Sequence, residues 1–229
     1  VMFVDERGEF ISPDLMIALM GHFFMEGVGT SPAARERAAL KAAGKITGVR
    51  TLQDIRSSKA VGEYLAPMGA QMHTWRVGRA YAAPKLREID GLFGGELAGH
   101  YYFKDFFYSD SGIMASLIIL DIVAEQKRRG RSLSQLIAGI ARYFNSGEIN
   151  FRVADKPAAM EAVRRHFISA ETPTAVMDFD GYRVEFPQWW FNIRPSNTEP
   201  YLRFICEASS PDLLAEKVAA AKEIILGVS

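Results

Sequence analysis

One cysteine in 229 residues, Cys206, excludes an intrachain disulfide, and its place in the apolar run from Tyr201 to Cys206 reads as a buried thiol in a reducing compartment. Charge of either sign is not in excess: Lys+Arg and Asp+Glu each number 27, for a formal net charge of zero. That excludes attraction to nucleic acid or to an anionic membrane through the overall field, so any affinity for anions has to be local. Long hydrophobic runs are missing as well. The most apolar segment, Ile113 to Val123, falls short of the roughly twenty residues a spanning helix needs, and Ser116 and Asp121 interrupt it, so it reads as a buried helix. No charged start followed by an apolar run and a small-residue cleavage site opens the chain, which makes the cytoplasm the default location. Metal-ligand spacing, internal repeats and low-complexity tracts are also lacking, and His22, His73 and His166 read as solvated or core histidines.

What is present, 48% hydrophobic residues, suffices to fill the cores of two ordinary domains or one large one. Residues 1 to 11 predict a β-hairpin around Asp5-Glu6-Arg7-Gly8. Ser12-Pro13 predicts an N-cap and first helical position, followed by a Met/Phe core stripe from Leu15 to Phe24. Strands at 48–55 and 71–77 alternate with helices at 57–68 and 83–90, which implies an α/β layer with right-handed crossovers. Residues 94–103 return as strand and loop, Ser109-Asp110-Ser111 caps a helix over 112–129, and Ser132 with Gln135 forms a capping box for a helix through Phe144. Asn145-Ser146-Gly147 is the linker candidate, giving domains at 12–145 and 146–229. The second reads as an antiparallel sheet with helices at 157–167 and 212–226 on one face.

Two loops carry chemistry. Arg194-Pro195-Ser196-Asn197-Thr198-Glu199-Pro200 places a guanidinium, two hydroxyls, an amide and turn N–H groups between apolar strands, a donor set suited to phosphate. The alternative is a turn with purely conformational use of Pro, Ser and Asn and a solvated Arg. About a hundred residues upstream, Gly94-Gly95-Glu96-Leu97-Ala98-Gly99-His100 brackets a carboxylate and an imidazole with glycines. Glycine admits close backbone approach, Glu96 can accept from vicinal sugar hydroxyls, and His100 can donate or accept. The alternative there is a turn into an edge strand with Glu96 solvated. Trp75, Trp189 and Trp190 read as core side chains rather than sugar platforms.

Together these loops resemble the α-D-phosphohexomutases, and within them the phosphomannomutase/phosphoglucomutase branch, where a G-E-x-S-G-H sugar loop precedes an R-x-S-N-T phosphate loop. Asp180-Gly181-Tyr182-Arg183, running through Trp189-Trp190 to Arg194, is similar to the family's approach to the phosphate loop. Asp54-Ile55-Arg56-Ser57-Ser58 and Trp75-Arg76-Val77-Gly78-Arg79 are similar to two further segments of its third domain. The resemblance implies a mixed-sheet α/β domain followed by an α+β domain similar to the TATA-binding protein. It also implies interconversion of hexose 1-phosphate and 6-phosphate through a phosphoserine and a bisphosphorylated sugar. Arg194, Ser196, Asn197 and Thr198 are then expected to hold the phosphate that is not reacting. Glu96, His100 and Arg79 are expected at the sugar, and Arg56 and His100 are placed to assist near the transferring phosphate.

The family's catalytic serine loop, T-A-S-H-N-P, and its magnesium loop, D-G-D-x-D-R, do not occur in the sequence, and residues 1 to 11 resemble the strand and turn that come directly after the magnesium loop. The chain is therefore expected to be the C-terminal half of a mutase, inactive alone, with its N-terminal domains as partners, Mg²⁺ bound by the intact protein and glucose 1,6-bisphosphate as activator. A free-standing phosphosugar-binding module and a phosphoglucosamine mutase branch are the alternatives. Three positions depart from the family: Ala98 where Ser is usual, Arg79 where His is frequent, and Ala83 near a frequent Lys. Either the branch is unusual or those positions are tolerant.

Overall fold

The turn at Asp5-Glu6-Arg7-Gly8 folds on the Asp5 carboxylate, which accepts the amides of Arg7 and Glu9 at 2.8 and 3.0 Å and pairs with the Arg7 guanidinium. In the computed structural model, which describes residues 1–228, this turn joins β1 (Phe3–Val4) and β2 (Phe10–Ile11) as an antiparallel hairpin. Glu6 at the turn accepts the Ser134 hydroxyl at 2.5 Å and the Ser134 amide at 3.1 Å, which fastens the hairpin to a distant part of the chain.

Helix α1 (Pro13–Glu26) starts with proline, but Ser12 does not cap it as expected. The Ser12 hydroxyl donates to Asp14 at 2.5 Å, and the Asp14 carboxylate, a stronger acceptor, takes the Leu15 amide and the Ser58 amide. Burial pushes the Asp14 carboxyl above the usual carboxylate range. Then come α2 (Pro32–Ala42), β3 (Val49–Asp54), α3 (Lys59–Leu65), β4 (Ala70–Trp75), α4 (Arg79–Glu88), β5 (Phe93–Gly95), β6 (Tyr101–Phe103), β7 (Ser109–Asp110), α5 (Gly112–Arg128) and α6 (Leu133–Ile140).

The five strands β3 to β7 form one mixed sheet in the order β4-β3-β5-β6-β7, with β4, β3 and β5 parallel and the rest antiparallel. Alternation along the strands feeds two cores. Phe93, Tyr101 and Phe103 pack with α1, α3, α5 and α6, while Leu52 and Tyr102 on the opposite face pack with Ala82 and Leu86 of α4. The connection from β3 to β4 thus runs over one face and the connection from β4 to β5 over the other. That makes the carboxyl ends of β3 and β5 a topological switch point, where open α/β sheets characteristically present a crevice.

Three expectations are corrected here. Helix α4 begins at Arg79 rather than Ala83, because the Gly78 carbonyl accepts the Tyr81 and Ala82 amides and completes a turn ahead of Pro84. Helix α6 keeps its Ser132–Gln135 capping box but stops at Ile140 rather than Phe144, since Phe144 is taken up by a strand. The apolar run of α5 is only half buried: Ile113, Leu117 and Leu120, spaced along one helical face, are 78%, 63% and 62% exposed.

The chain divides at Arg142/Tyr143 into two compact units, close to the linker read from the sequence, and residues 1 to 11 lie within the first. The second contains β8 (Phe144–Asn145), β9 (Ile149–Phe151), α7 (Lys156–Ala170), β10 (Ala175–Met177), β11 (Tyr182–Glu185), β12 (Trp189–Pro195), β13 (Leu202–Ala208) and α8 (Pro211–Gly227). Its sheet is antiparallel throughout, ordered β10-β11-β12-β13, with β8 and β9 both pairing β13. Trp189, Phe191 and Ile193 alternate onto the face that meets Val163 and Phe167 of α7 and Ala221 and Ile225 of α8. The intervening residues, Trp190, Asn192 and Arg194, point the other way and are nonetheless buried. Cys206 lies in the helix-covered core, where burial raises its thiol pKa.

Hydrogen bonds from Ser134 hold the Glu6 carboxyl at about 2, against an ordinary 4.5. A depressed folded-state pKa contributes stability above the unfolded value and loses it as pH falls through the folded one. Glu6→Gln is therefore expected to narrow the loss of stability seen between about pH 4.5 and 2, read by urea denaturation at both ends of that range. An unchanged difference would mean the contact does not persist in solution. Gly181 supplies a second test. It has φ +70°, and a Cβ there would fall 2.2 Å from the Ile193 carbonyl oxygen and 2.6 Å from the Arg194 Cβ. Gly181→Ala is expected to destabilise the fold by roughly 2–3 kcal/mol, and a change under about 0.5 kcal/mol would show that this turn yields freely.

Candidate functional site

Every sugar-site residue expected from the sequence falls at the carboxyl edge of the parallel strands or in the loop beside it. Asp54 ends β3 and turns directly into Arg56; Gly78 and Arg79 follow β4; Glu96 follows β5; His100 precedes β6. Two hydrogen bonds tie these segments together. The Leu97 amide donates to Asp54 Oδ2 at 2.8 Å, across the switch point, and the Gly78 amide donates to Glu96 Oε2 at 2.9 Å. The loop itself is closed by the Glu96 amide on the His100 carbonyl and by the Gly99 amide on the Glu96 carbonyl, with Gly99 at φ +82°.

Arg56 is buried and held by Asp54, whose carboxylate accepts the Arg56 amide at 2.7 Å and its Nη2 at 2.8 Å. Glu96 is 2% exposed, so the reading of it as a solvated carboxylate fails; its other oxygen accepts the Tyr102 hydroxyl at 2.5 Å. His100 is exposed, with Nδ1 2.7 Å from Asp110 Oδ2. Nδ1 is engaged by that carboxylate, and Nε2 is the remaining ring nitrogen. Arg79 is exposed at the first position of α4, and Ala98 is exposed at the loop tip without the hydroxyl the family usually has there. Ala83 is half-buried one turn further along α4 and offers no amine. Sequence reasoning passed over Asp54, Tyr102 and the Gly78 amide as working parts. Asp54 was signalled by its spacing of two from Arg56, whereas only strand register brings Tyr102 to Glu96.

In the second unit Arg194 is the last residue but one of β12, just before the chain enters the loop at Ser196. The loop closes through the Ser196 amide on the Tyr201 carbonyl at 2.9 Å. Ser196 Oγ accepts the Thr198 and Glu199 amides at 3.4 and 3.2 Å, which leaves its own hydroxyl hydrogen to point away from the turn. Asn197 and Thr198 are exposed at the tip. Arg194 is 3% exposed, and Nε donates to Asp180 Oδ1 at 3.2 Å, while Nη2 is buried with no hydrogen-bond partner. Arg203, opposite Arg194 in register, is instead neutralised by ion pairs with Glu148 and Glu199. Trp189 and Trp190 are fully buried, each with its indole N–H on a glutamate, Glu171 and Glu207 respectively, which matches a packing role. Among the described residues no group of three or more His, Cys, Asp or Glu is arranged to hold a metal ion, and no helix is long and apolar enough to cross a membrane.

Comparison with known proteins agrees with this layout. Residues 33–143 match the family profile described as phosphoglucomutase/phosphomannomutase, alpha/beta/alpha domain III, and residues 148–224 match that of the phosphoglucomutase/phosphomannomutase C-terminal domain. The phosphomannomutase of Methanocaldococcus jannaschii is 35% identical over 222 residues, covering 97% of this chain and 44% of its own length. That of Salmonella montevideo is 32% identical over 222 residues, covering 96% and 43%. Among solved structures, a phosphoglucomutase/phosphomannomutase family protein from Burkholderia thailandensis shares the fold with a TM-score of 0.72 at 24% identity, over 96% of this chain and 43% of that one. The chain thus spans less than half the length of the relatives it matches. It belongs to the phosphoglucomutase/phosphomannomutase family and carries the third and C-terminal domains of that family's architecture.

Proposed function

We propose that this chain is the sugar- and phosphate-binding half of a cytoplasmic phosphomannomutase/phosphoglucomutase that interconverts hexose 1-phosphates and 6-phosphates. The observation that carries the reading is Arg194: a buried guanidinium with Nη2 unpartnered, at the mouth of a loop whose serine hydroxyl is free to donate. A buried donor left unbonded costs about 1–3 kcal/mol, more when charged, and an anion at the loop recovers it. Phosphate suits the donors, since a guanidinium and a hydroxyl can share its three oxygens. Arg194 and Ser196 would hold the phosphate that is not reacting, assisted by Asn197 and Thr198, and their task would be positioning rather than bond making.

At the first unit Glu96 would accept from adjacent sugar hydroxyls. If it reads a pair of hydroxyls common to glucose and mannose, dual specificity follows. His100 Nε2 would face the sugar, while Arg56, oriented by Asp54, and Arg79 would offset developing negative charge. The phosphoserine and Mg²⁺ of the proposed reaction would come from segments that this sequence does not contain, and the carboxylates described above are engaged with Arg56, Gly78 and Tyr102 rather than grouped for a cation. Glucose 1,6-bisphosphate, carrying a phosphate at either end, would be the natural activator.

Titration calorimetry with mannose 6-phosphate tests the phosphate site. Arg194→Ala is expected to weaken binding roughly ten- to hundredfold, with Arg194→Lys intermediate because it keeps charge but loses the fork. Equal affinity for all three proteins would remove Arg194 from the site. The chain alone is expected to show no interconversion of mannose 1-phosphate and mannose 6-phosphate, followed by phosphorus NMR; sustained turnover would require a phosphoryl carrier within these residues and would sink this reading.

A further inference from the structure

The carboxylate assigned to the sugar is already gripped on both oxygens. Glu96 Oε1 accepts the Tyr102 hydroxyl at 2.5 Å, and Oε2 accepts the Gly78 amide at 2.9 Å. The two donors come from separate segments, one from β6 and the other from the residue just before α4. Tyr102 is fully buried, packed with Leu52, Ala82 and Leu86, and lies opposite Gly94 in register, so its ring is fixed by the same core that fixes α4. Burial first, and then the neighbouring Glu96 charge, raise its phenol pKa well above the ordinary tyrosine range. At neutral pH the phenol is therefore a proton donor, and the acceptor in front of it is Glu96.

A carboxylate oxygen has two acceptor positions, and here one on each oxygen is used by the protein. We infer that Tyr102 is a positioning residue of the sugar site: its hydroxyl, together with the Gly78 amide, fixes the Glu96 side chain in one rotamer and leaves one acceptor position on each oxygen for two adjacent hydroxyls of a hexose phosphate. This rests on the reading of Glu96 as the sugar-binding carboxylate. A glutamate ordered before the ligand arrives does not lose its rotamer freedom on binding, so the benefit appears as affinity for ligands that use both oxygens. A ligand with phosphate alone gains nothing from it.

The experiment is calorimetric titration of the wild-type chain, Tyr102→Phe, Glu96→Gln and the double variant with mannose 6-phosphate and with inorganic phosphate. Tyr102→Phe keeps the packed ring and removes only the hydroxyl. It is expected to weaken mannose 6-phosphate binding roughly five- to tenfold, to leave inorganic phosphate binding unchanged, and to add little in the Glu96→Gln background. Mannose 6-phosphate affinity that drops in Glu96→Gln but not in Tyr102→Phe would overturn the role of Tyr102 and leave Glu96 in place. Affinity unmoved by Glu96→Gln would overturn the reading of Glu96 and this inference with it. A parallel loss for both ligands in Tyr102→Phe would mark a structural effect and also overturn it. A measurement on the unmodified chain guards against misfolded variants: the Tyr102 hydroxyl proton should resonate far downfield in the NMR spectrum and persist when mannose 6-phosphate saturates. Its disappearance on saturation would mean that the sugar displaces Tyr102 instead of sharing Glu96 with it.

Discussion

The strand edge that carries Arg56 and Glu96 depends on one buried carboxylate. Asp54, 2% exposed at the end of β3, takes two groups of Arg56 and the Leu97 amide of the neighbouring loop. A charge so placed is tolerable only when paired and hydrogen-bonded, and breaking such a pair typically costs about 3–5 kcal/mol. The same requirement that makes Asp54 costly to disturb fixes the direction of Arg56 and the height of the Gly94–His100 loop above the sheet. Glu96, one residue before Leu97, inherits that placement and extends it to Gly78 and the start of α4. The parallel strand order does the rest, because the switch point at β3 and β5 leaves their carboxyl ends uncovered by a crossover helix.

The second unit solves a different problem with similar means. Its sheet has an aromatic face against α7 and α8 and a polar face on which Arg183, Asn192, Arg194 and Glu207 are all buried. Arg183 stacks 3.8 Å from the Trp190 ring centroid and donates to Glu185, and Trp190 donates to Glu207. Arg194 is matched by Asp180 through Nε, but its Nη2 is left over. That buried nitrogen lies beside the Ser-Asn-Thr turn, two residues before Ser196.

Element by element, the periodic parts of the fold were legible: the Ser132–Gln135 capping box and the helices read over 112–129 and 212–226 fold close to where their patterns predict. The misreadings occurred where a longer-range partner outweighed a local signal. The helix was read from Ala83, yet Gly78 opened it a turn earlier; Phe144 was read into the helix of α6, yet paired with Ala208 in the sheet. Ile113, Leu117 and Leu120 looked like core because composition does not say which side of an apolar helix will be covered. The site divides the same way. Arg194 and Glu96 are visible as residues in unusual loops, but their partners are set by turn and strand register: Asp180 stood in a motif that did not reveal its contact with Arg194, and Tyr102 carried no pattern of its own.

Arg79 shows how differently the two loops are balanced in charge. A cation at the first position of α4 sits at the positive end of the helix dipole, an arrangement that is unfavourable by itself. Glu96 lies against the same helix end through the Gly78 amide, so its charge offsets both the dipole and Arg79. The Gly94–His100 loop and the start of α4 thus set one carboxylate, Glu96, against one guanidinium, Arg79. The phosphate loop has the opposite balance at its mouth, where an arginine only partly answered by Asp180 adjoins a turn of uncharged donors. With a net charge of zero the chain has no strong overall field, so the two loops differ electrostatically through these local balances alone.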